Sequence, residues 1–333
     1  MVELLLSLVL GLVMVGAVLG TYLSTRGTFQ TQENLARLQE SGRFALEMMA
    51  REIREAGLTP CGSPLTANVL VSALPANTPW WADTAAGALR GEQGAVLGYT
   101  ALGSAAGNHV SGTHSLLVLR PSDDENFLAT VLAHDAANKT VDIQAPALMG
   151  PRGIALLCDS GSAALWQVDT VTSAQSSRAQ LSYAASPLNC STSLGSVDAT
   201  CQSPVQKTFP AGALLLPWDP GLWYVGLNGS GQSSLYRAEV VPPASGSTTT
   251  SMLTRGVEKM PGVEAMTIDY LTRDRSQGGA LATAWVQAAA LAGKWADPAL
   301  EVAAVRIRLT LTAGSGSHQV RRDMQTVVSL RNR

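Results

Sequence analysis

The sequence predicts an α+β protein: one long N-terminal helix packed on an antiparallel β-sheet domain with long loops. Three observations predict it. Residues 4–23 form an apolar run without a single charge. Residues 33–57 carry apolar side chains at three- and four-residue steps, the period of a helix with one buried face. Beyond Cys61 the chain breaks into short apolar or alternating runs separated by Gly, Pro, Asn and Ser, the pattern of strands and turns.

The first run reads LLLSLVLGLVMVGAVLGTYL. Its length of about twenty residues matches the thickness of a bilayer's hydrocarbon core. Gly11, Gly16 and Gly20 interrupt it; in a membrane, small residues permit close helix contacts. Tyr22 falls where an interfacial aromatic would sit. A cleavable signal peptide is the competing reading, and it requires a basic segment ahead of a shorter apolar core. No Lys or Arg precedes this run, and no turn-forming break follows it.

The helical pattern instead continues with different chemistry. Leu35, Leu38, Gly42, Ala45, Leu46, Met49, Ile53 and Ala56 fall on one stripe. Glu33 and Arg37, Arg43 and Glu47, Glu47 and Arg51, and Arg51 and Glu55 stand four apart on the other face, where opposite charges pair. Gly57, with Pro60 and Pro64 beyond it, ends the helix. The expected organisation is a helix over 1–56, with 4–23 crossing the membrane, and a β-rich domain over 57–333. Such a helix is roughly 80 Å long. Leu35, Leu38, Leu46, Met49 and Ile53 are the residues expected to pack it under the sheet.

Glu3 is a carboxylate at the leading edge of the apolar run, where a charge is costly unless paired. Either it reaches the headgroups and marks the membrane boundary, or it meets a cation on a neighbouring subunit when helices bundle.

Only 14% of residues are charged and the net charge is −2, against about 25% charged residues in an average soluble domain. No clustered basic surface points to nucleic acid. The four cysteines, Cys61, Cys158, Cys190 and Cys201, include no Cys-x-x-Cys pair, which argues against a zinc ribbon or redox motif. An even count behind a membrane segment predicts disulfides in an oxidising compartment, against four reduced thiols. Cys190 and Cys201 flank a short polar stretch and form the easiest local bridge, which leaves Cys61 with Cys158.

Strands are expected at 115–120, 140–143, 154–158, 164–170, 213–216, 222–227 and 234–241, with Asn228-Gly229 as a hairpin signal between the last two. A closing antiparallel set is expected at 265–270, 302–312 and 324–330, and a short helix at 280–292. Segments 59–107 and 173–203, rich in Ala, Ser, Pro and Gly, read as loops or insertions. Trp80-Trp81 in the first either pins that loop to the core, the preferred reading, or offers an exposed anchor for a partner.

No catalytic site is predicted. Cys158-Asp159-Ser160-Gly161 contains the Asp-Ser-Gly of some serine nucleophiles but lacks the flanking glycines, and spacing places none of His109, His114, His134 or His318 beside Ser160. Gly314-Ser315-Gly316-Ser317-His318 reads as a turn. Residues 122–126, including Asp123, Asp124 and Glu125, lack the regular spacing of a calcium loop and read as a solvated turn. Arg306, Arg308, Arg321 and Arg322 read as solvated strand faces. No metal or cofactor is implied.

Met1-Val2-Glu3-Leu4 followed by the apolar run resembles the mature N-terminus of type IV pilins, and by that match Glu3 corresponds to the family's N-terminal glutamate. The family's leader peptide and first two mature residues, with the peptidase site and methylated Phe, fall outside the match. The stretch LARLQESGRFAL at 35–46 resembles PilW-type minor pilins more closely than major pilins. So do Gly221-Leu222-Trp223-Tyr224-Val225, Ser234-Leu235-Tyr236-Arg237, Gly256-Val257-Glu258-Lys259-Met260, the segments 263–270 and 302–309, and the terminal Leu330-Arg331-Asn332-Arg333. The likeness is thin between Cys61 and Pro210. It implies a type IV pilin fold. It implies a single-pass inner-membrane protein with its N-terminus toward the cytoplasm and its C-terminal domain in the periplasm, later incorporated into the pilus. The implied partners are other minor pilins, the major pilin, a large pilus-tip adhesin and, before assembly, membrane lipid. The implied roles are tip or priming complex assembly, pilus biogenesis, twitching motility and adhesion. Two alternatives remain: a J-type pseudopilin of type II secretion, and a membrane-anchored periplasmic enzyme or binding protein.

Overall fold

The computed structural model describes residues 1–70, 78–94, 105–144, 149–175, 177–184, 188–197, 201, 204–243, 252–276, 278–316 and 319–330. Helix α1 runs unbroken over Val2–Glu55. Ala56 closes it, and Gly57 takes φ +71°, a left-handed conformation that Gly adopts without strain. The Gly57 N–H then donates to the Leu119 carbonyl at 2.8 Å, which turns the chain directly into the β-domain.

Among the described residues, strands β1 to β18 form three sheets. In the first, the order is β1-β7-β6-β10-β4-β5-β9-β8. Its members are β1 (Leu65–Asn68), β4 (Ala129–Asp135), β5 (Thr140–Gln144), β6 (Ile154–Cys158), β7 (Ala163–Gln167), β8 (Val171–Gln175), β9 (Arg178–Ser182) and β10 (Leu214–Pro217). The second has the order β13-β12-β11-β3-β2, from β2 (Leu89–Gln93), β3 (His114–Val118), β11 (Gly221–Leu227), β12 (Ser233–Val241) and β13 (Leu253–Pro261). The third runs β15-β14-β17-β18, with β16 also on β14. It contains β14 (Val263–Asp274), β15 (Ala280–Leu281), β16 (Val286–Gln287), β17 (Leu300–Ala313) and β18 (Val320–Ser329).

The second half of α1 lies across β17 and β18 and touches β13. One core joins helix, second sheet and third sheet: Leu38, Leu46, Met49 and Ile53 meet Leu116, Val118, Trp223, Val225, Ile307, Leu309 and Leu311. Fully burying an aliphatic side chain contributes about 1.5–3 kcal/mol, so this stripe supplies much of the helix's attachment. The opposite face of the second sheet buries Leu117, Leu119, Leu222 and Tyr224. Burial on both faces explains why β3 and β11 read as continuous apolar runs rather than alternating ones. Trp80 and Trp218 pack against both this face and the Leu156, Cys158 and Leu165 face of the first sheet. Trp218 Nε1 donates to the Trp81 carbonyl at 2.8 Å, and Trp81 is buried. Trp80-Trp81 thus pins its loop to the core.

Several expectations need correction. The helix read at 280–292 is β15, β16 and a 3-10 turn over Ala288–Leu291; β14 recruits these residues by pairing Asp269 with Gln287 and Arg273 with Leu281. Among the described residues there are three sheets, and β1 pairs parallel with β7, so the sheet arrangement is not wholly antiparallel. Segments 59–107 and 173–203 are not only loops: β1 and β2 lie in the first and β9 in the second. Parts of both, together with Ser317, His318 and 331–333, lie outside the described residues. The hairpin at Asn228-Gly229 exists, but its loop spans 228–232. Asn228 N–H donates to the Gln232 carbonyl at 2.8 Å, and Gly231, not Gly229, takes the positive φ. Leu35 is only half-buried. Arg51 turns to Asp123 at 2.8 Å and Glu55 at 3.7 Å rather than to Glu47.

The disulfides join Cys61 to Cys158 and Cys190 to Cys201. The first staples the segment just after the helix to β6, in the interior of the largest sheet.

Candidate functional site

The first half of α1 is exposed along its whole apolar run, from Leu4 at 70% to Leu23 at 64%. Its most apolar stretch has a mean hydropathy of 2.6 and no buried residue, so by length and composition it can cross a membrane. Its hydroxyls suit a water-free setting. Ser7 donates to the Leu4 carbonyl, Thr21 to Ala17, Thr25 to Thr21, Thr28 to Ser24 and Thr31 to Gly27, at 2.6–3.0 Å. Each of these five hydroxyls therefore has a partner within the helix, as hydrocarbon requires. Glu3 lies exposed in the first turn, where the unsatisfied N–H groups of a helix start favour a carboxylate.

The packing half has a different character. Leu38, Leu46, Met49 and Ile53 are buried as the stripe predicts. Gly42 sits so close to the third sheet that a Cβ there would meet Leu311 and the Met324 sulfur. Glu33 with Arg37 and Arg43 with Glu47 form exposed pairs at 2.6 and 3.0 Å.

Glu52 is the residue the stripe does not predict. It is 5% exposed. Its carboxylate accepts from Trp223 Nε1 at 2.6 Å and Arg237 Nε at 2.8 Å. Arg120 lies 3.5 Å away, and Asp219 joins Arg120 to Arg237 with contacts of 2.9 Å to each. Glu55 and Asp123 complete the pairing of Arg120 at 2.8 and 3.2 Å. This network ties the end of α1 to β11 and β12 and to the loops after β3 and β10. A signal for it existed: Glu52 stands three residues after Met49 and four before Ala56, on the apolar face. Burial pushes the Glu55 carboxyl above its ordinary range, with Arg120 opposing. Asp123 is held below its ordinary range, burial being outweighed by Arg120 and Arg51.

The remaining candidates resolve into structural roles. Asp159 accepts from the backbone of Gly161 and Ser162 and from Lys207 at 2.8 Å, while Ser160 is exposed at the turn. His109 contacts Thr113, His114 the backbone of Ile268, and His134 Tyr183 and the Phe209 N–H; none is hydrogen-bonded to Ser160. Among the described residues no group of three or more His, Cys, Asp or Glu side chains is arranged to hold a metal. Arg306 pairs with Asp269 at 2.6 Å and lies over the Trp285 ring, and Arg321 pairs with Glu264 at 2.8 Å. Arg306 is therefore held on the sheet rather than simply solvated, whereas Arg321 lies on a solvated strand face. A cleft of about 830 Å³ opens where Leu38 and Ser41 face Met260, Glu264 and Arg321. Its charges are compensated within the chain, Arg37 by Glu33 and Arg321 by Glu264.

No protein-family profile, no curated protein and no solved structure matches the chain. Its class rests on its own geometry: an α+β protein with one helix long and apolar enough to span a membrane and a disulfide-bonded C-terminal part suited to an extracytoplasmic compartment.

Proposed function

We propose that the chain is a minor pilin of the PilW type, held in the inner membrane by the first half of α1 and later packed into a pilus by the same surface. The observation that carries this reading is the division of one unbroken 54-residue helix. Its first half is exposed along its apolar run, and its second half is fixed under a sheet. A plain membrane anchor has no need of a rigid helical continuation, whereas a filament subunit needs its exposed helix held at a set angle to its outer domain. The Gly-interrupted run would exchange lipid for neighbouring helices, with Glu3 meeting a cation on the adjoining subunit. A place in a tip or priming complex, with other minor pilins, the major pilin and a large adhesin, follows from the resemblance in 35–46 and in β11 to β17. Pilus biogenesis, twitching motility and adhesion are the corresponding roles.

The test is Glu3→Ala in the native host. The expected result is loss of the chain from sheared filaments, with disulfides and β-domain circular dichroism unchanged. Normal incorporation and piliation would overturn the assignment. Co-purification tests its finer part: recovery with type II secretion pseudopilins instead of pilus proteins would make it a J-type pseudopilin.

A further inference from the structure

Where α1 ends, the surface changes from charged to apolar. A cleft of about 350 Å³ opens between Leu58 and Pro60 after the helix, Pro121 and Leu128 before β4, and Leu214 and Leu216 of β10. Leu58 is 44% and Leu128 36% exposed, and both line this concave surface. The volume lies at the lower end for a binding pocket and suits one or two side chains.

The rim is acidic and only partly compensated. Glu55, Asp123, Asp124 and Glu125 surround the apolar floor. Glu55 and Asp123 share Arg120 and Arg51. Asp124 caps the 3-10 turn Glu125–Phe127 by accepting from Asn126, and neither it nor Glu125 enters an ion pair among the described residues. Two negative charges therefore stand unneutralised at the mouth of an apolar slot. An exposed apolar floor with a rim of one sign favours an apolar anchor flanked by the opposite sign.

We propose that this cleft is a docking site for a segment of a partner protein that inserts an aliphatic or aromatic side chain flanked by Lys or Arg. The inserted side chain covers Leu58, Leu128 and Leu214, and the basic flanks face Asp124 and Glu125. This inference does not use the reading of the helix as a filament element.

The full chain in detergent, with a fluorescent peptide Lys-Leu-Arg-Phe-Lys and its counterpart Glu-Leu-Glu-Phe-Glu, provides the test. Fluorescence anisotropy should show saturable binding of the basic peptide, weakened as salt rises, and no binding of the acidic one. Asp124→Asn with Glu125→Gln should weaken binding roughly tenfold, two exposed charge pairs being removed. Leu128→Asp should abolish it, with unchanged circular dichroism showing that the domain remains folded. Equal binding of both peptides, or unchanged affinity in both variants, overturns the proposal. So does calcium that raises the melting temperature through Asp124 and Glu125 while the basic peptide fails to compete, since the rim would then be a cation site.

Discussion

The Glu52 carboxylate on α1 accepts a 2.6 Å hydrogen bond from the indole N–H of Trp223 on β11. Both residues are almost wholly buried. A helix that otherwise attaches through an apolar stripe thus places one charge inside the core, where Arg237 and Arg120 answer it. The network fixes rotation and register of the helix end more sharply than apolar contacts, which tolerate sliding.

Removing that carboxylate leaves Arg237 without its 2.8 Å partner at Nε and the buried Trp223 indole without its acceptor, with Asp219 still holding both guanidinium groups. Glu52→Ala should destabilise the β-domain by about 3–5 kcal/mol, the cost of breaking a buried pair from one side. Urea unfolding monitored by Trp fluorescence gives the value. Glu52→Gln retains an acceptor for Trp223 and should cost less. Equal losses would mean that the charge contributes nothing.

Acid should loosen the domain in two stages. Burial lowers the pKa of His109, His114 and His134; a backbone contact opposes it at His109, Asp269 helps to oppose it at His114 and Asp135 at His134. The folded state holds these rings neutral, so the unfolded chain binds protons more readily. Their contribution is complete above the unfolded value of about 6.5 and is lost as pH falls through the lower folded values. Asp123, Asp135 and Asp159 are also lowered and act the same way below about pH 4. Melting temperature should therefore begin to fall below about pH 6.5, and His134→Gln should flatten the first stage. A flat profile from pH 7 to 5 would refute this.

The two disulfides should differ in worth. Cys61 and Cys158 are 97 positions apart, Cys190 and Cys201 only 11. In the chain-entropy account the long loop contributes about 4.7 kcal/mol and the short one about 2.8 kcal/mol. Cys61→Ser with Cys158→Ser should lower stability more than the corresponding double change at 190 and 201. The denatured, unreduced protein should titrate with no free thiol.

Gly262 makes the tight passage from β13 to β14 at φ +75°, and an added Cβ would strike the Thr312 carbonyl. Backbone cannot yield as a flexible side chain does. Gly262→Ala should cost more than about 1 kcal/mol, read from the denaturation midpoint. Gly229→Ala, with nothing near its Cβ position and no positive φ, should be nearly neutral.

What the sequence made readable was whatever repeats along one element. The α1 stripe and the apolar runs of β6, β11 and β12 carry their own period. β4, reading ATVLAHD, was missed because His134 and Asp135 break its apolar character; His134 is instead satisfied by Tyr183 and Phe209, far along the chain. The 280–292 segment has helical composition, yet pairing with β14 overrides propensity. The acidic cleft assembles Leu58, Leu128 and Leu214 from three distant places, and no local pattern brings them together.

The bridge between Cys61 and Cys158 also decides where tension runs. Glu55 ends the helix six positions before Cys61, a tether with no more than about 20 Å of slack. Along the covalent chain, a pull between the helix and the C-terminal strands passes through the sulfurs into β6. The intervening chain, including β2 to β5, is shunted out of the load path and can remain folded while the protein bears strain. Reduction would put that whole loop in series with the force.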